Sequence, residues 1–295
     1  MALRTDMMRT PFRVLALLMT GAMLAACDLA PDWFGGTEAP PLPGQRLSVL
    51  ALEGAIEPDP RIADLDVRLP RPYVNESWPQ SGGYPDHAMH HLAGGDNLAL
   101  LWRSDIGEGS GDDGRILTTP VVAGGRVFAI DAVAEITAFD ANTGNLLWRI
   151  DPRLEDDEED GFGGGLAYAG GLLFATTGFG HVLALDPTTG AQVWRQDIGI
   201  PMRAAPVVVG GRMFVVTYDN QLWALSAEDG AVQWSNAGIS ETAGLLGAAS
   251  PAVDNDIVIA PYSSGELIAL RVENGRTVWA DSLGAQRLGT GSLAA

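Results

Sequence analysis

The sequence contains a single cysteine, Cys27, and no lysine. A lone cysteine excludes a disulfide bond within the chain, and in an exported protein it requires an explanation of its own. The 18 basic residues are all arginine and stand against 37 acidic residues, which gives a net charge of −19. Nucleic acid and broad contact with anionic lipid both require a basic surface, so we expect neither as a partner.

Catalytic motifs are also lacking. The sequence contains no Ser-His-Asp order, no glycine-rich loop that could bind phosphate, and no pair of carboxylates placed by a motif for acid–base catalysis. We therefore expect no catalytic residue. The acidic run at 155–160 lacks the spaced oxygens of a calcium loop, and we expect a solvated loop there. His87, His90 and His91 have no nearby fourth histidine to complete a zinc site, and they indicate a surface loop. We therefore predict no metal site and no cofactor.

The N-terminus carries the pattern of a lipoprotein signal. Arg4, Arg9 and Arg13 precede an apolar run at 14–26 that is too short to span a bilayer. The run ends Leu-Ala-Ala-Cys, a lipobox whose cysteine, Cys27, accepts the lipid. We therefore predict a signal peptide at 1–26 and a lipidated Cys27, followed by a tether at 27–70 that begins rich in proline and glycine. An ordinary secretory signal with an incidental cysteine is the alternative.

Four copies of one phrase dominate the rest of the chain. The first reads Ala-Phe-Asp-Ala-Asn-Thr-Gly-Asn-Leu-Leu-Trp at 138–148, and the others lie at 184–194, 224–234 and 269–279. Their tryptophans are 46, 40 and 45 residues apart. Each copy has one glycine before its tryptophan; the glycines are Gly144, Gly190, Gly230 and Gly275, and the tryptophans are Trp148, Trp194, Trp234 and Trp279. A fixed period of this size predicts repeated structural units that bury their apolar faces against one another.

Each repeat reads as four short strands. In the first, three breaks separate runs rich in β-branched and aromatic residues, and none has a helical period. The sequence therefore predicts an all-β fold, a partial β-propeller of four-stranded antiparallel blades over 71–295. Trp102 indicates an earlier outer strand, so we expect four to five blades that do not close into a ring. We expect each tryptophan to pack against the next blade, and the last blade face to be apolar and exposed.

The motif Ala-x-Asp-x-x-Thr-Gly-x-x-x-Trp, complete at 138–148 and 184–194, resembles the repeat of the quinoprotein-like β-propellers. That family includes quinone- and calcium-dependent alcohol dehydrogenases and the BamB-type lipoproteins of the outer-membrane β-barrel assembly machinery. The dehydrogenases carry a vicinal cysteine pair, which this chain lacks. A lipobox, a tether and repeated blades in that order are similar to the BamB type.

The BamB-type resemblance implies a non-enzymatic scaffold without cofactor, anchored by lipid on the periplasmic side of the cell envelope. It implies contact with the periplasmic domains of the barrel insertase, and unfolded barrel precursors are further candidate partners. The counterpart of the family's contact loop is 198–206, with Ile200 and Met202 as apolar anchors and Arg203 as the charged one. For the loop, the alternative is an ordinary inter-blade connection. For the protein as a whole, the alternative is a pyrroloquinoline-quinone-dependent periplasmic oxidoreductase or its remnant. Asp28 leaves the choice between inner and outer membrane open.

Overall fold

The computed structural model describes residues 59–61, 65–95, 97–111, 114–157, 161–241 and 247–282. The chain divides into two compact parts, Met1–Val67 and Arg68–Ala295. In the first part, the described residues include an exposed ion pair, with 2.6 Å between Arg61 Nη2 and Asp59 Oδ2. The predicted signal peptide and Cys27 lie outside the described residues. Within those residues, no helix is long and apolar enough to cross a bilayer.

The described residues of the second part form four antiparallel sheets of four strands each, which confirms the predicted blades. In each sheet the strands pair in chain order. Blade 1 comprises β1 (Val121–Ala123), β2 (Arg126–Ile130), β3 (Ile136–Asp140) and β4 (Leu146–Ile150). Blade 2 comprises β5 (Gly164–Ala169), β6 (Leu172–Thr177), β7 (His181–Leu185) and β8 (Gln192–Asp197). Blade 3 comprises β9 (Val207–Val209), β10 (Arg212–Val216), β11 (Gln221–Ser226) and β12 (Val232–Ala237). Blade 4 comprises β13 (Ala252–Asp254), β14 (Ile257–Pro261), β15 (Glu266–Arg271) and β16 (Thr277–Ser282).

In blades 1 and 2, the turn between the third and fourth strands is built by an aspartate and a glycine. In blade 1, Asp140 Oδ1 accepts hydrogen bonds from the backbone N–H groups of Asn142 and Thr143, at 3.0 and 2.9 Å. Gly144 closes the turn with φ +71°, a conformation that costs other residues energy. Asp186 and Gly190 repeat this arrangement in blade 2. In blades 3 and 4, Ser226 and Arg271 take the place of the aspartate, so the glycine with positive φ is the feature that all four turns share.

A β-bulge precedes the repeated tryptophan of every blade. In blade 1, Ala138 pairs with Trp148 and Phe139 with Leu146, so Leu147 is the extra residue. The other three blades place an extra residue at the same position. The bulge turns the tryptophan inward, while Leu147 stays exposed.

Hydrophobic packing runs between blades as well as within them. Three buried clusters each join residues of two consecutive blades: 1 with 2, 2 with 3, and 3 with 4. The four blades form an unclosed array over the described residues. The predicted outer strand around Trp102 forms no assigned strand, and Leu100 and Leu101 are exposed.

Consecutive blades meet at a recurring contact, which we call the tryptophan joint. At each of the three junctions, the indole N–H of the repeated tryptophan donates to a carbonyl in the turn of the following blade, three residues before its glycine. The pairs are Trp148 to Pro187 (3.0 Å), Trp194 to Ala227 (3.2 Å) and Trp234 to Val272 (3.1 Å). Trp102, which precedes blade 1, makes the same contact with Ala141 in the turn of blade 1 at 2.9 Å. The ring also covers the turn glycine, where a Cβ on Gly190 would lie 2.9 Å from Trp148. Trp279 has no such turn over it among the described residues and is 42% exposed, against 9% for Trp148 and Trp194.

Candidate functional site

The loop at 198–206 connects blade 2 to blade 3 and is held by backbone hydrogen bonds on both sides. The Ile198 N–H donates to the Gly180 carbonyl at 3.0 Å, and the Met202 N–H donates to the Thr177 carbonyl at 3.1 Å. From blade 3, the Tyr218 N–H donates to the Pro201 carbonyl at 2.8 Å. The loop is therefore part of the rigid frame and presents its side chains in fixed positions.

Arg203 lies between two aromatic rings. Its guanidinium carbon is 4.7 Å from the centre of the Phe162 ring and 4.4 Å from the centre of the Tyr218 ring. Both distances are within the range of a cation–π interaction, which stabilises a partly desolvated arginine. Arg203 is half-buried and Tyr218 is exposed, so the stacked pair reaches the surface. An arginine next to an exposed tyrosine is a frequent composition of protein-binding hot spots.

The structure separates the three residues that the sequence grouped as partner-binding. Ile200 is half-buried and lies three residues before Arg203 in the loop. Met202 is fully buried and belongs to a core cluster with Phe174 and Trp194. Its side chain fills the joint between blades 2 and 3, so it acts as packing and offers a partner no surface. The exposed part of the candidate site therefore consists of Ile200, Arg203 and Tyr218, and Tyr218 was missed by the sequence reasoning.

A cavity of about 110 Å³ lies next to Arg203 between blades 3 and 4, and Tyr218, Asn220, Tyr262 and Ser263 also line it. Buried Asn220 joins the two blades: its Nδ2 donates to the Ile239 carbonyl at 2.8 Å, and its Oδ1 accepts from the Ser263 N–H at 3.1 Å. Burial raises the pKa of Tyr262, which keeps its hydroxyl protonated. Asn220 thus fixes the part of the cavity wall where blades 3 and 4 meet.

The acidic run differs from a fully solvated loop at one residue. Both carboxylate oxygens of Asp157 lie 2.9 Å from Nε2 of the buried His181. Burial acts to raise the pKa of Asp157, but hydrogen bonds from the Leu154 N–H and His181 outweigh it and the pKa is lowered. Glu155 and Asp156 are exposed, and residues 158–160 lie outside the described residues. The run is therefore anchored to blade 2 through Asp157.

The histidine cluster is held by backbone contacts. Nδ1 of His91 lies 2.6 Å from the Pro70 carbonyl oxygen, and His87 and His90 adopt positive φ values of 58° and 51°. Across the described residues, no group of three or more His, Cys, Asp or Glu side chains is placed to hold a metal ion. These histidines shape the loop at 87–91.

A family model described as outer membrane protein assembly factor BamB matches this chain over residues 96–155 and 132–294. Protein RC0314 of Rickettsia conorii, described as uncharacterized, is 29% identical over 167 residues, which is 56% of this chain and 40% of that protein. Outer membrane protein assembly factor BamB of Shewanella oneidensis is 29% identical over 198 residues, 66% of this chain and 40% of that protein. The matched segments thus span about 40% of the length of these curated relatives.

Solved structures share the fold. Quinohemoprotein alcohol dehydrogenase ADHIIG from Pseudomonas putida HK5 matches with a TM-score of 0.56 and 17% identity, over 70% of this chain and 40% of that one. BamB from Moraxella catarrhalis matches with a TM-score of 0.46 and 21% identity, over 57% of this chain and 52% of that one. At 17% identity, the likeness to the dehydrogenase bears on the fold alone and leaves the activity to be argued from the site.

Proposed function

The chain belongs to the outer membrane protein assembly factor BamB family, and from that premise we propose that it is a non-enzymatic periplasmic scaffold in the assembly of outer-membrane β-barrel proteins. The observation that carries the proposal is the family match across residues 96–294, which includes all four blades. In this proposal, the protein works by binding the periplasmic domains of the barrel insertase and aids the assembly and insertion of barrel precursors.

The proposed contact surface is formed by Ile200, Arg203 and Tyr218. Ile200 offers apolar area, and the stacked Arg203 keeps a fixed charge with little loss of side-chain entropy on binding. Because the loop is hydrogen-bonded to blades 2 and 3, the surface is preorganised for its partner. This support comes from geometry and residue chemistry, and the partner itself is inferred from the family.

Anchoring at the membrane is a further element of the proposal. The lipobox ending at Cys27 supports lipidation of that residue, and the proline- and glycine-rich stretch after it supports a tether. With this anchor, the protein would be held at the periplasmic side of the cell envelope. Labelling with a radioactive fatty acid tests this directly: the wild type should incorporate label and Cys27→Ala should not.

A quinone-dependent oxidoreductase is the competing function for this fold. Among the described residues, no group of three or more His, Cys, Asp or Glu side chains is placed to hold the calcium ion that accompanies the quinone. We therefore derive no step through such a group. Addition of pyrroloquinoline quinone and calcium, followed by a dye-linked alcohol oxidation assay, distinguishes the two functions, and substrate-dependent dye reduction would refute the scaffold.

The contact surface is tested by replacing Arg203 with glutamate. Arg203→Glu reverses the charge and removes the cation–π contacts, so capture of the insertase from solubilised membranes should fall at least about tenfold. The matched control is Arg212→Glu, which makes the same change at the opposite end of blade 3, where Arg212 bonds the exposed Gln233. The control should bind like the wild type. Full retention of the insertase by Arg203→Glu, with the fold intact by circular dichroism, would refute the assignment.

A further inference from the structure

Residues 78–85, Trp-Pro-Gln-Ser-Gly-Gly-Tyr-Pro, run along the innermost strands of the four blades. Trp78 and Val122 of β1 exchange two backbone hydrogen bonds, at 2.7 and 2.8 Å. The Pro79 carbonyl accepts from the Tyr168 N–H of β5 at 2.7 Å, and the Pro85 carbonyl accepts from the Val253 N–H of β13 at 2.7 Å. One short segment thus contacts blades 1, 2 and 4 through its main chain.

Blade 3 is reached by a side chain that replaces a peptide group. The carboxamide Oε1 of Gln80 accepts from the Val208 N–H at 2.9 Å, and its Nε2 donates to the Val208 carbonyl at 2.7 Å. The main chain turns away here: the Gly83 N–H donates to the Gln80 carbonyl at 2.8 Å, and Gly82 and Gly83 have positive φ values. A carboxamide carries the same donor and acceptor pair as a peptide unit, so Gln80 completes the series.

The four contacts fall at one register position. Val122, Tyr168, Val208 and Val253 each lie two residues before the two-residue turn that follows the innermost strand. The innermost strand of a blade is a sheet edge, and its unpaired N–H groups need partners when they are buried. The segment supplies a partner to the same N–H group in all four blades.

The composition of the segment fits this task. Pro79 and Pro85 lack an N–H group, and at both positions only the carbonyl is used. Gln80 is buried, so the loss of either of its hydrogen bonds would leave a backbone group of Val208 without that partner. Each of these residues therefore provides the hydrogen-bond acceptor that the innermost strand of its blade requires.

We propose that residues 78–85 form a strap that binds the four innermost strands as a single unit and fixes the spacing of the blades. The strap is a conformational device of the fold, and it is independent of the partner proposed above. Its action extends beyond neighbouring blades. In the described part of the chain, each blade otherwise packs only against the blade before it and the blade after it, whereas the strap is one covalent segment that contacts all four. Loss of one contact should therefore loosen the others.

The strap is tested with Gln80→Ala in the full chain, by residue-resolved amide hydrogen exchange under native conditions. Exchange at Val208 should accelerate about tenfold, and exchange at Tyr168 and Val253 about threefold, because the strap opens as a unit. The matched control is Gln233→Ala, which removes an exposed glutamine from the outer strand of the same blade and should leave all three amides unchanged. Unchanged exchange at all three amides in Gln80→Ala, or a change confined to Val208, would overturn the proposal.

A second measurement keeps the test decisive if Gln80→Ala does not fold. A protease site is inserted between Gly94 and Gly95, which lie in an exposed loop after the strap. After cleavage, the N-terminal fragment should co-elute with the blades in size-exclusion chromatography. Dissociation of the fragment from blades that keep their circular dichroism spectrum would show that the segment does not bind them as a strap.

Discussion

At the scale of single residues, the tryptophan joint makes glycine necessary for two separate reasons. Gly190 has φ +76°, and a Cβ there would lie 2.9 Å from Trp148 Cε3. A substitution therefore combines backbone strain with overpacking against a ring that is itself fixed by its hydrogen bond to Pro187. The two effects should be separable, since other glycines of the same blade have only the first.

We predict that Gly190→Ala lowers the free energy of unfolding by about 2–4 kcal/mol, the sum of a left-handed alanine and an overpacked contact. Gly170→Ala is the matched control: Gly170 also has positive φ, at +57°, but a Cβ there meets nothing within 4 Å. The control should lose only about 1 kcal/mol. Urea denaturation followed by tryptophan fluorescence measures both values. Equal losses would show that the ring contact contributes nothing.

The residues whose roles could be predicted from the sequence are those that recur with the repeat. The glycine and tryptophan of the motif recur in all four copies and the aspartate in two, so their turn chemistry could be predicted from spacing and residue type. Met202 carries no such signal, because a methionine in a connecting loop can face the core or solvent and only the packing of Phe174 and Trp194 around it decides. Gln80 is a single polar residue in an irregular segment, and its role depends on Val208, 128 residues away.

At the scale of elements, the aspartate turn links the fold to pH. The backbone N–H groups of Thr143 and Thr189 are the main cause that lowers the pKa of Asp140 and Asp186, respectively. A carboxyl whose pKa is lower in the folded state than in the unfolded chain, where it is about 3.9, stabilises the fold above that value. This stabilisation is lost as the pH falls through the lowered folded-state pKa.

We therefore expect the urea midpoint of the wild type to fall as the pH drops below about 4. In the double variant Asp140→Asn/Asp186→Asn, the midpoint should depend less on pH, because each amide still accepts hydrogen bonds but no longer titrates. Glu76→Gln/Glu155→Gln is the control, since both of these side chains are exposed. It should follow the wild type. A double aspartate variant with the wild-type pH dependence would contradict this account of the turns.

Elements outside the repeat were the ones that the sequence did not predict. The strap has two prolines and two adjacent glycines in eight residues, which removes any strand period, so only the finished innermost strands reveal its role. The stretch around Trp102 was expected to be an outer strand because its tryptophan resembles the others. Its indole does occupy a joint with Ala141, yet the stretch pairs with no sheet in the described part of the chain. A tryptophan in the sequence can thus correctly predict the contact of its indole ring, whereas the pairing of its backbone depends on neighbouring strands.

At the scale of the whole molecule, two kinds of link hold the blades. The tryptophan joints connect each blade to the next, as in a linear repeat array whose stability is a sum of unit and interface contributions. The strap contacts all four blades and couples those that do not touch through a joint. Cooperative unfolding should therefore depend on both links, and the two contributions can be separated by removing one joint with and without the Gln80 contact of the strap.

We predict that Trp194→Ala destabilises the protein by about 3–5 kcal/mol, the usual cost of removing a buried large aromatic side chain. Trp279→Ala is the matched control in the same structural position, and it should cost less than about 2 kcal/mol because Trp279 is 42% exposed and has no covering turn among the described residues.

With the strap intact, Trp194→Ala should still unfold in a single urea transition. Adding Gln80→Ala should split or broaden that transition, since blades 2 and 3 would then have lost both their tryptophan joint and the strap's contact with blade 3. A split transition in Trp194→Ala alone would mean that the joints, without the strap, carry the cooperativity of the array.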